Sequence, residues 1–435
     1  NAYNVAVGHN AGNDVTTGID NTLIGGLAGD AITDADYNVA LGYNSLTTNV
    51  LGSRSTALGT FALYNQNPAT ATDMYNTAVG YDAGNGITTG VSNTLIGGLA
   101  GDAITVGGEN TTLGYKSLSV NTTGFYNTAI GSRALANMNV ADSSSTYNTA
   151  VGYNAGNDVT TGTGNTLLGA LAGDALTVGN TNVAIGQSAL GADTKGDRNI
   201  AIGVASLEAQ NFTTSTDSYN IGIGYAAGTA ITTGINNTLV GGLAGDALID
   251  ADHNVAVGQA ALGLDTYGSK STAIGHSALE AQNFTTATNS YNTAVGSDSG
   301  KAITTGVENT IIGSNAGDAL IDADYNVVVG KSALSADTYG SRSTALGYSA
   351  LQAQNFTTAT NTYNTAVGFH AGYQISTGVE NTLIGGNVGD ALDVGGNNVA
   401  VGGGSLTTDT KGSKSVAVGV SALATQNFTT ATDAL

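Results

Sequence analysis

The sequence predicts an all-β protein, a parallel β-solenoid of 24 short coils, from three observations. A five-residue motif recurs along the chain: Asn or Ser, a variable residue, usually Ala or Leu, an aliphatic residue, and Gly, as at residues 76–80. Successive copies are 17, 17, 17 and 21 residues apart, and this cycle continues without insertion or deletion. β-Branched residues dominate the extended pieces, and Gly, Asn and Asp separate them. Strict self-similarity at a short period is the signature of a solenoid.

The cycle divides the 435 residues into six super-repeats of 72 residues, starting near residues 4, 76, 148, 220, 292 and 364. We therefore expect one solenoid domain over residues 1–435. Each coil should be a flattened turn with two extended pieces, one at the motif and one at residues such as 15–17. Coils stacked at ~4.8 Å would pair each strand with its equivalent in the next coil.

The motif positions predict different roles. Asn occupies position 1 in 20 coils and Ser in four, so stacked coils should form an amide ladder. Side chains alternate along a strand, so positions 2 and 4 share one face and position 3 takes the other. We expect the invariably aliphatic position 4 to fill the coil interior, and position 3 to face other subunits. The larger residues of this predicted interchain face are Leu23, Leu95, Leu167, Leu239, Ile311 and Leu383.

Composition limits the partners. The net charge is −21 with only 11 Lys and Arg residues, which argues against nucleic acid and anionic membrane surfaces. The sequence contains no Cys, hence no disulfide or thiolate site, and no apolar run long enough for membrane insertion. The missing initiator Met suggests a mature or excised segment.

Two stretches carry a resemblance to a known family. Residues 76–84, Asn-Thr-Ala-Val-Gly-Tyr-Asp-Ala-Gly, and residues 182–190, Asn-Val-Ala-Ile-Gly-Gln-Ser-Ala-Leu, resemble the YadA-like head repeat of trimeric autotransporter adhesins. Related repeats occur in phage tail fibres. The resemblance implies a left-handed β-roll, a homotrimer, and a head that binds host-surface molecules. The coils are longer than in that family and no stalk or membrane anchor is visible, which favours a fibre shaft over a cell-surface autotransporter.

The 21-residue coils carry the candidate binding residues. Their extra residues form loops at 63–74, 135–146, 207–218, 279–290, 351–362 and 423–435. Four loops contain Gln-Asn-Phe-Thr-Thr, and their aromatic residues are Phe212, Phe284, Phe356 and Phe428. Each Phe either contacts a glycan or receptor, or folds back over the base of its loop. The Asn-Phe-Thr triplets also match the glycosylation acceptor pattern.

Charged residues offer weaker candidates. Carboxylates on turns can bind Ca²⁺. The recurring triplet Asp-Ala-Asp supplies three candidate pairs, which are Asp34 with Asp36, Asp250 with Asp252, and Asp322 with Asp324. The alternative is that these aspartates are solvated turn residues. Basic residues cluster in the turn before coil four of the super-repeats, and we expect them to form a surface ridge with acidic residues of the same turn. The acidic residues, which come shortly before them in the sequence, are Asp193, Asp265, Asp337 and Asp409. These basic residues are Arg54, Lys195, Arg198, Lys270, Arg342, Lys411 and Lys414.

No residue pattern indicates an enzyme, a metal centre or a cofactor. The sequence therefore predicts a structural fibre or adhesin shaft that projects from a cell or virion and contacts surfaces through its loops. A multivalent glycan- or receptor-binding head is an alternative. Because the first and last coils look internal, a filament that stacks head to tail is another.

Overall fold

The computed structural model describes residues 2–433. The chain divides into two compact units, Asn1–Tyr219 and Asn220–Leu435, and the second begins where the fourth super-repeat begins. The described residues contain no helix long and apolar enough to cross a membrane.

Positions 2 to 4 of each motif form a three-residue strand, here called a motif strand. The first unit has motif strands at Val5–Val7, Thr22–Ile24, Val39–Leu41, Thr56–Leu58, Thr77–Val79, Thr94–Ile96, Thr111–Leu113, Thr128–Ile130, Thr149–Val151, Thr166–Leu168, Val183–Ile185 and Ile200–Ile202. The second unit has them at Ile221–Ile223, Thr238–Val240, Val255–Val257, Thr272–Ile274, Thr293–Val295, Thr310–Ile312, Val327–Val329, Thr344–Leu346, Thr365–Val367, Thr382–Ile384, Val399–Val401 and Val416–Val418.

Two-residue strands pair the turn before coil four with the end of the following long loop. In the first unit, Gly52–Ser53 pairs with Thr72–Asp73 and Gly196–Asp197 pairs with Thr216–Asp217. The three pairs of the second unit are Gly268–Ser269 with Thr288–Asn289, Gly340–Ser341 with Thr360–Asn361, and Gly412–Ser413 with Thr432–Asp433.

Motif strands of successive coils pair in parallel and in register. Thr77 lies beside Thr94, Ala78 beside Leu95, and Val79 beside Ile96. The other motif-strand pairs within each unit repeat this arrangement, so equivalent positions stack in columns. The predicted all-β, parallel β-solenoid is therefore confirmed.

The predicted second extended piece of the coil is a turn and not a strand. The backbone N–H groups of Thr16, Thr17 and Gly18 all donate to the carbonyl of Thr33, at 3.0 to 3.1 Å. One acceptor for three donors does not form a strand ladder, because a ladder needs alternating donors and acceptors on both chains. The second side of the coil is thus held by convergent hydrogen bonds between neighbouring coils.

The predicted amide ladder is confirmed. The Asn38 backbone N–H and side-chain Nδ2 both donate to Asn21 Oδ1, at 2.9 and 3.2 Å. Asn38 Nδ2 also donates to the carbonyl of Gly52 at 3.0 Å. Each buried amide therefore ties its coil to the previous coil and also spans its own coil, which satisfies polar groups that burial would otherwise leave unpaired.

Where Ser replaces Asn, a glutamine from the long loop continues the ladder. Gln66 Nε2 donates to Ser55 Oγ at 3.0 Å, and Asn76 Nδ2 donates to Gln66 Oε1 at 2.9 Å. Gln282 joins Ser271 to Asn292, and Gln354 joins Ser343 to Asn364, in the same way. The longer fourth coil thus supplies the amide that its shorter Ser side chain lacks.

Candidate functional site

Position 3 of the motif lies inside the coil, so the prediction of an interchain face there is wrong. The six residues predicted for that face are at most 1% exposed within the single chain: Leu23, Leu95, Leu167, Leu239, Ile311 and Leu383. Ala takes the same buried position in most other coils, as at Ala78 and Ala129. A side chain enclosed by its own coil cannot contact another subunit.

Glycines explain why a large residue fits inside the second coil. A Cβ atom on Gly84 would lie 2.7 Å from Leu95 Cδ1, and one on Gly101 would lie 2.9 Å from Leu95 Cδ2. In the third and fourth coils, Leu replaces this glycine, as at Leu118 and Leu135, and the motif residue is small. Where motif position 3 is large, the other position is Gly, and where that position is Leu, motif position 3 is small, as close packing of an interior requires. This Leu–Gly exchange was the sequence signal for the inward face.

Positions 2 and 4 face outward, so the prediction that position 4 fills the coil interior is wrong. These two positions form the candidate interaction surface, here called the outer face. Every residue at these positions is Thr, Val, Ile or Leu. All are half-exposed or exposed, and Leu113 and Leu168 are 46% and 45% exposed. Each unit therefore presents a regular sheet surface that is largely apolar and carries no charged side chain. Contiguous apolar surface on this scale marks an interaction site.

Exposed tyrosines border the outer face on both sides. One border is the residue before the motif, and the other is the residue after its glycine. Tyrosines of the first border are Tyr3, Tyr37, Tyr75, Tyr126, Tyr147, Tyr219, Tyr291, Tyr325 and Tyr363, and those of the second are Tyr43, Tyr81, Tyr115, Tyr153, Tyr225 and Tyr348. Tyr is enriched in protein interfaces because it combines a large apolar ring with a polar group.

Five of the seven basic turn residues lie on the first border, and Lys195 and Lys411 lie three residues before it. Arg54 forms an ion pair with Asp73 at 2.9 Å, and its Cζ lies 4.9 Å from the ring centre of Tyr37. Arg198 and Lys414 form the same pair with Asp217 and Asp433. Asn replaces this Asp in the fourth and fifth super-repeats, and Arg342 Nε donates to Asn361 Oδ1 at 3.0 Å. Exposed pairs of this kind stabilise the fold little.

The prediction that four Asp residues form the acidic half of a charged surface ridge is wrong. Asp193, Asp265, Asp337 and Asp409 are fully buried. Gln354 Nε2 donates to Asp337 Oδ2 at 2.6 Å, and the backbone N–H groups of Gly340 and Phe356 donate to Asp337 Oδ1. Burial raises the pKa of Asp193 and of Asp337, although these hydrogen bonds oppose the shift. The four carboxylates therefore anchor the long loops and do not pair with the basic residues.

The loop phenylalanines cover the loop base, which is the second alternative considered for them. Phe212, Phe284 and Phe356 are 5%, 6% and 8% exposed, and Phe428 is half-buried. The backbone N–H of each Phe donates to the Asp of the turn before coil four, which holds this part of the loop against that turn. In this conformation the rings of Phe212, Phe284 and Phe356 are not available to a glycan or receptor. Ala434 and Leu435, at the end of the sixth loop, lie outside the described residues.

The Asp-Ala-Asp carboxylates hold neighbouring coils together. Thr17 Oγ1 donates to Asp34 Oδ1 at 2.6 Å, and the Ile19 N–H donates to Asp36 Oδ1 at 2.8 Å. Equivalent bonds reach Asp250, Asp252, Asp322 and Asp324. Within residues 2–433, no three His, Asp or Glu side chains form a group that could hold a metal ion. The geometry favours turn residues over calcium ligands.

No family model matches the sequence, and no curated protein matches it. The resemblance to adhesin and tail-fibre repeats therefore stays a prediction. The outer face is the strongest candidate site, and it follows from the geometry alone.

Proposed function

We propose that this chain is the structural shaft of an extracellular fibre or adhesin, displayed on a cell or virion, and that it works as a homotrimer. The observation that carries the proposal is the uncharged outer face with its tyrosine borders. A chain with a net charge of −21 has few surfaces on which copies can approach without mutual repulsion. The outer face is one of them.

The area of the outer face also suits self-association. Twelve coils at ~4.8 Å and three residues at ~3.3 Å give a face of about 58 by 10 Å in each unit, roughly 600 Å². Stable interfaces bury about 800 Å² on each partner. With the bordering tyrosines, one unit reaches this order of area.

Two charged substitutions on the outer face test the proposal. We expect Leu113→Glu with Leu168→Glu to convert a trimer into a monomer, because carboxylates would be buried at the interface without partners. Both side chains are already exposed, so the fold should persist. Sedimentation equilibrium measures the mass of the assembly, and circular dichroism checks the fold.

The matched control places the same charges off the outer face. Val106 and Val394 are 37% and 39% exposed and lie at the position equivalent to Thr17, in the turn outside the motif strand. Val106→Glu with Val394→Glu should leave the trimer intact. A wild-type chain that sediments as a stable monomer would refute the trimer, and equal dissociation of both variants would refute the assignment to the outer face.

A further inference from the structure

Two basic side chains of the second super-repeat line one surface cavity. The cavity measures about 280 Å³, and Lys116 and Arg133 are both in its wall. Small-molecule sites usually begin near 300 Å³. The cavity lies just below this size, which limits its occupant to a very small ligand, such as a monosaccharide or an inorganic anion.

The two residues stack directly above one another. Both occupy the second position after the motif glycine, in coils seven and eight. The Lys116 N–H donates to the carbonyl of Gly98, and the Arg133 N–H donates to the carbonyl of Tyr115. Their backbones are therefore one strand spacing apart, about 4.8 Å. Like charges at this separation repel unless an anion lies between them.

No other super-repeat has a basic residue at either position. The residues equivalent to Lys116 are Asn44, Ser188, Ala260, Ser332 and Gly404. Those equivalent to Arg133 are Phe61, Ala205, Ser277, Ser349 and Ser421. The coil can therefore be built without these charges. Two of only 11 basic residues meet at one place where the repeat does not require them.

The carboxylates near the cavity do not neutralise this pair. Among the described residues, no carboxylate oxygen lies within 4.0 Å of the Lys116 ammonium or the Arg133 guanidinium. The charge of Lys116 lowers the pKa of Asp102, although burial raises that pKa more. Asp158 Oδ1 accepts from Asn157 Nδ2 and Asn137 Nδ2, at 2.7 and 3.1 Å.

The rest of the wall combines polar groups with a small apolar surface. Ser119, Asn137 and Asn157 supply polar atoms, and Val120 and Ala136 supply the apolar part. A guanidinium presents a planar fork that matches an oxyanion, and an ammonium adds a point charge. We propose that this cavity binds a small ligand carrying a carboxylate or sulfate group, of the class of an acidic monosaccharide.

The test uses the full chain and three probes: sodium sulfate, glucuronate and galactose 6-sulfate. Isothermal titration calorimetry at low salt should give saturable binding of at least one probe. The variant Lys116→Ser with Arg133→Ser should weaken that binding by about tenfold or more, since it removes both charges that face the ligand. Ser332 and Ser349 already occupy the equivalent places, so the variant should fold.

The control variant is Lys331→Ser with Lys411→Ser, which removes two positive charges elsewhere. Unchanged binding in this control, with loss in the cavity variant, supports the site. Tighter binding of a sugar acid than of sulfate supports an acidic sugar, and equal binding supports an oxyanion alone. Absence of saturable binding for all three probes, or an equal loss in both variants, would overturn the proposal.

Discussion

At the scale of single residues, the glycine that ends each motif is the strictest requirement of the coil. Gly241 has a φ of 141°, and a Cβ there would lie 2.4 Å from the carbonyl oxygen of Gly258 in the next coil. L-residues rarely adopt this φ, and no real Cβ atom approaches a backbone oxygen so closely. Both constraints act at every coil junction of this type, which explains why Gly closes every motif.

Adjacent glycines provide a direct test. Gly241→Ala should destabilise the chain by about 3 kcal/mol or more, from backbone strain and the clash with Gly258. Gly242→Ala should be close to neutral, because a Cβ at Gly242 meets no atom within 4 Å. Urea denaturation measures the free energy of unfolding of both variants. Similar losses would show that glycine flexibility, and not the close approach, matters at this corner.

At the scale of the element, the long loop of the fourth coil is organised by its buried polar cluster. Asp337 accepts hydrogen bonds from Gln354 and Phe356, and Gln354 Nε2 also donates to Ser343 Oγ. The first super-repeat has a neutral residue at the position of Asp337: Asn49 Oδ1 accepts from the Gly52 N–H, and Gln66 Nε2 donates to Ser55 Oγ. The charge at Asp337 is therefore not required by the loop.

This comparison predicts a pH-dependent difference between wild type and Asp337→Asn. Burial raises the pKa of Asp337, so the folded state binds this proton more tightly than the unfolded state. The favourable contribution of Asp337 to the free energy of unfolding is fully present below the ordinary Asp pKa of about 3.9. This contribution is lost as the pH rises through the raised pKa of the folded state. The free energy of unfolding of wild type minus variant should thus fall between acidic and neutral pH. A flat or rising difference would contradict this sign.

At the scale of the whole molecule, a strongly acidic chain combines with a face that has no charge. Copies with a net charge of −21 repel each other at low salt, while apolar contacts between outer faces would draw them together. Salt screens the repulsion, with a Debye length of about 10 Å at 0.1 M and 3 Å at 1 M. The balance between these terms sets the stability of an assembly.

Self-association should therefore strengthen with salt. We expect the association constant, measured by sedimentation between about 20 and 500 mM NaCl, to rise as repulsion is screened. The variant Leu113→Glu with Leu168→Glu should stay monomeric over the whole range. Dissociation of the wild type at high salt would instead show that ion pairs, such as those between border residues, hold the copies together.

Much of this protein follows from its sequence because its period is strict. The 17-residue step, the Asn at position 1 and the closing Gly predict the stacked coils and the amide ladder, since equivalent residues must lie above one another. The burial of Asp193 and Phe212 does not follow in the same way. It depends on how the long loop folds back onto the turn of the preceding coil, and this contact is not periodic along the strand.

Alternation along the motif strand determined that positions 2 and 4 share one face and position 3 the other. It did not determine which face is inside. The interior volume decides that, because Leu95 fits within the coil only against Gly84 and Gly101, on turns that the strand does not include. The sequence alone thus determined the solenoid and its period, whereas tertiary packing decided which surface the protein presents to its partners.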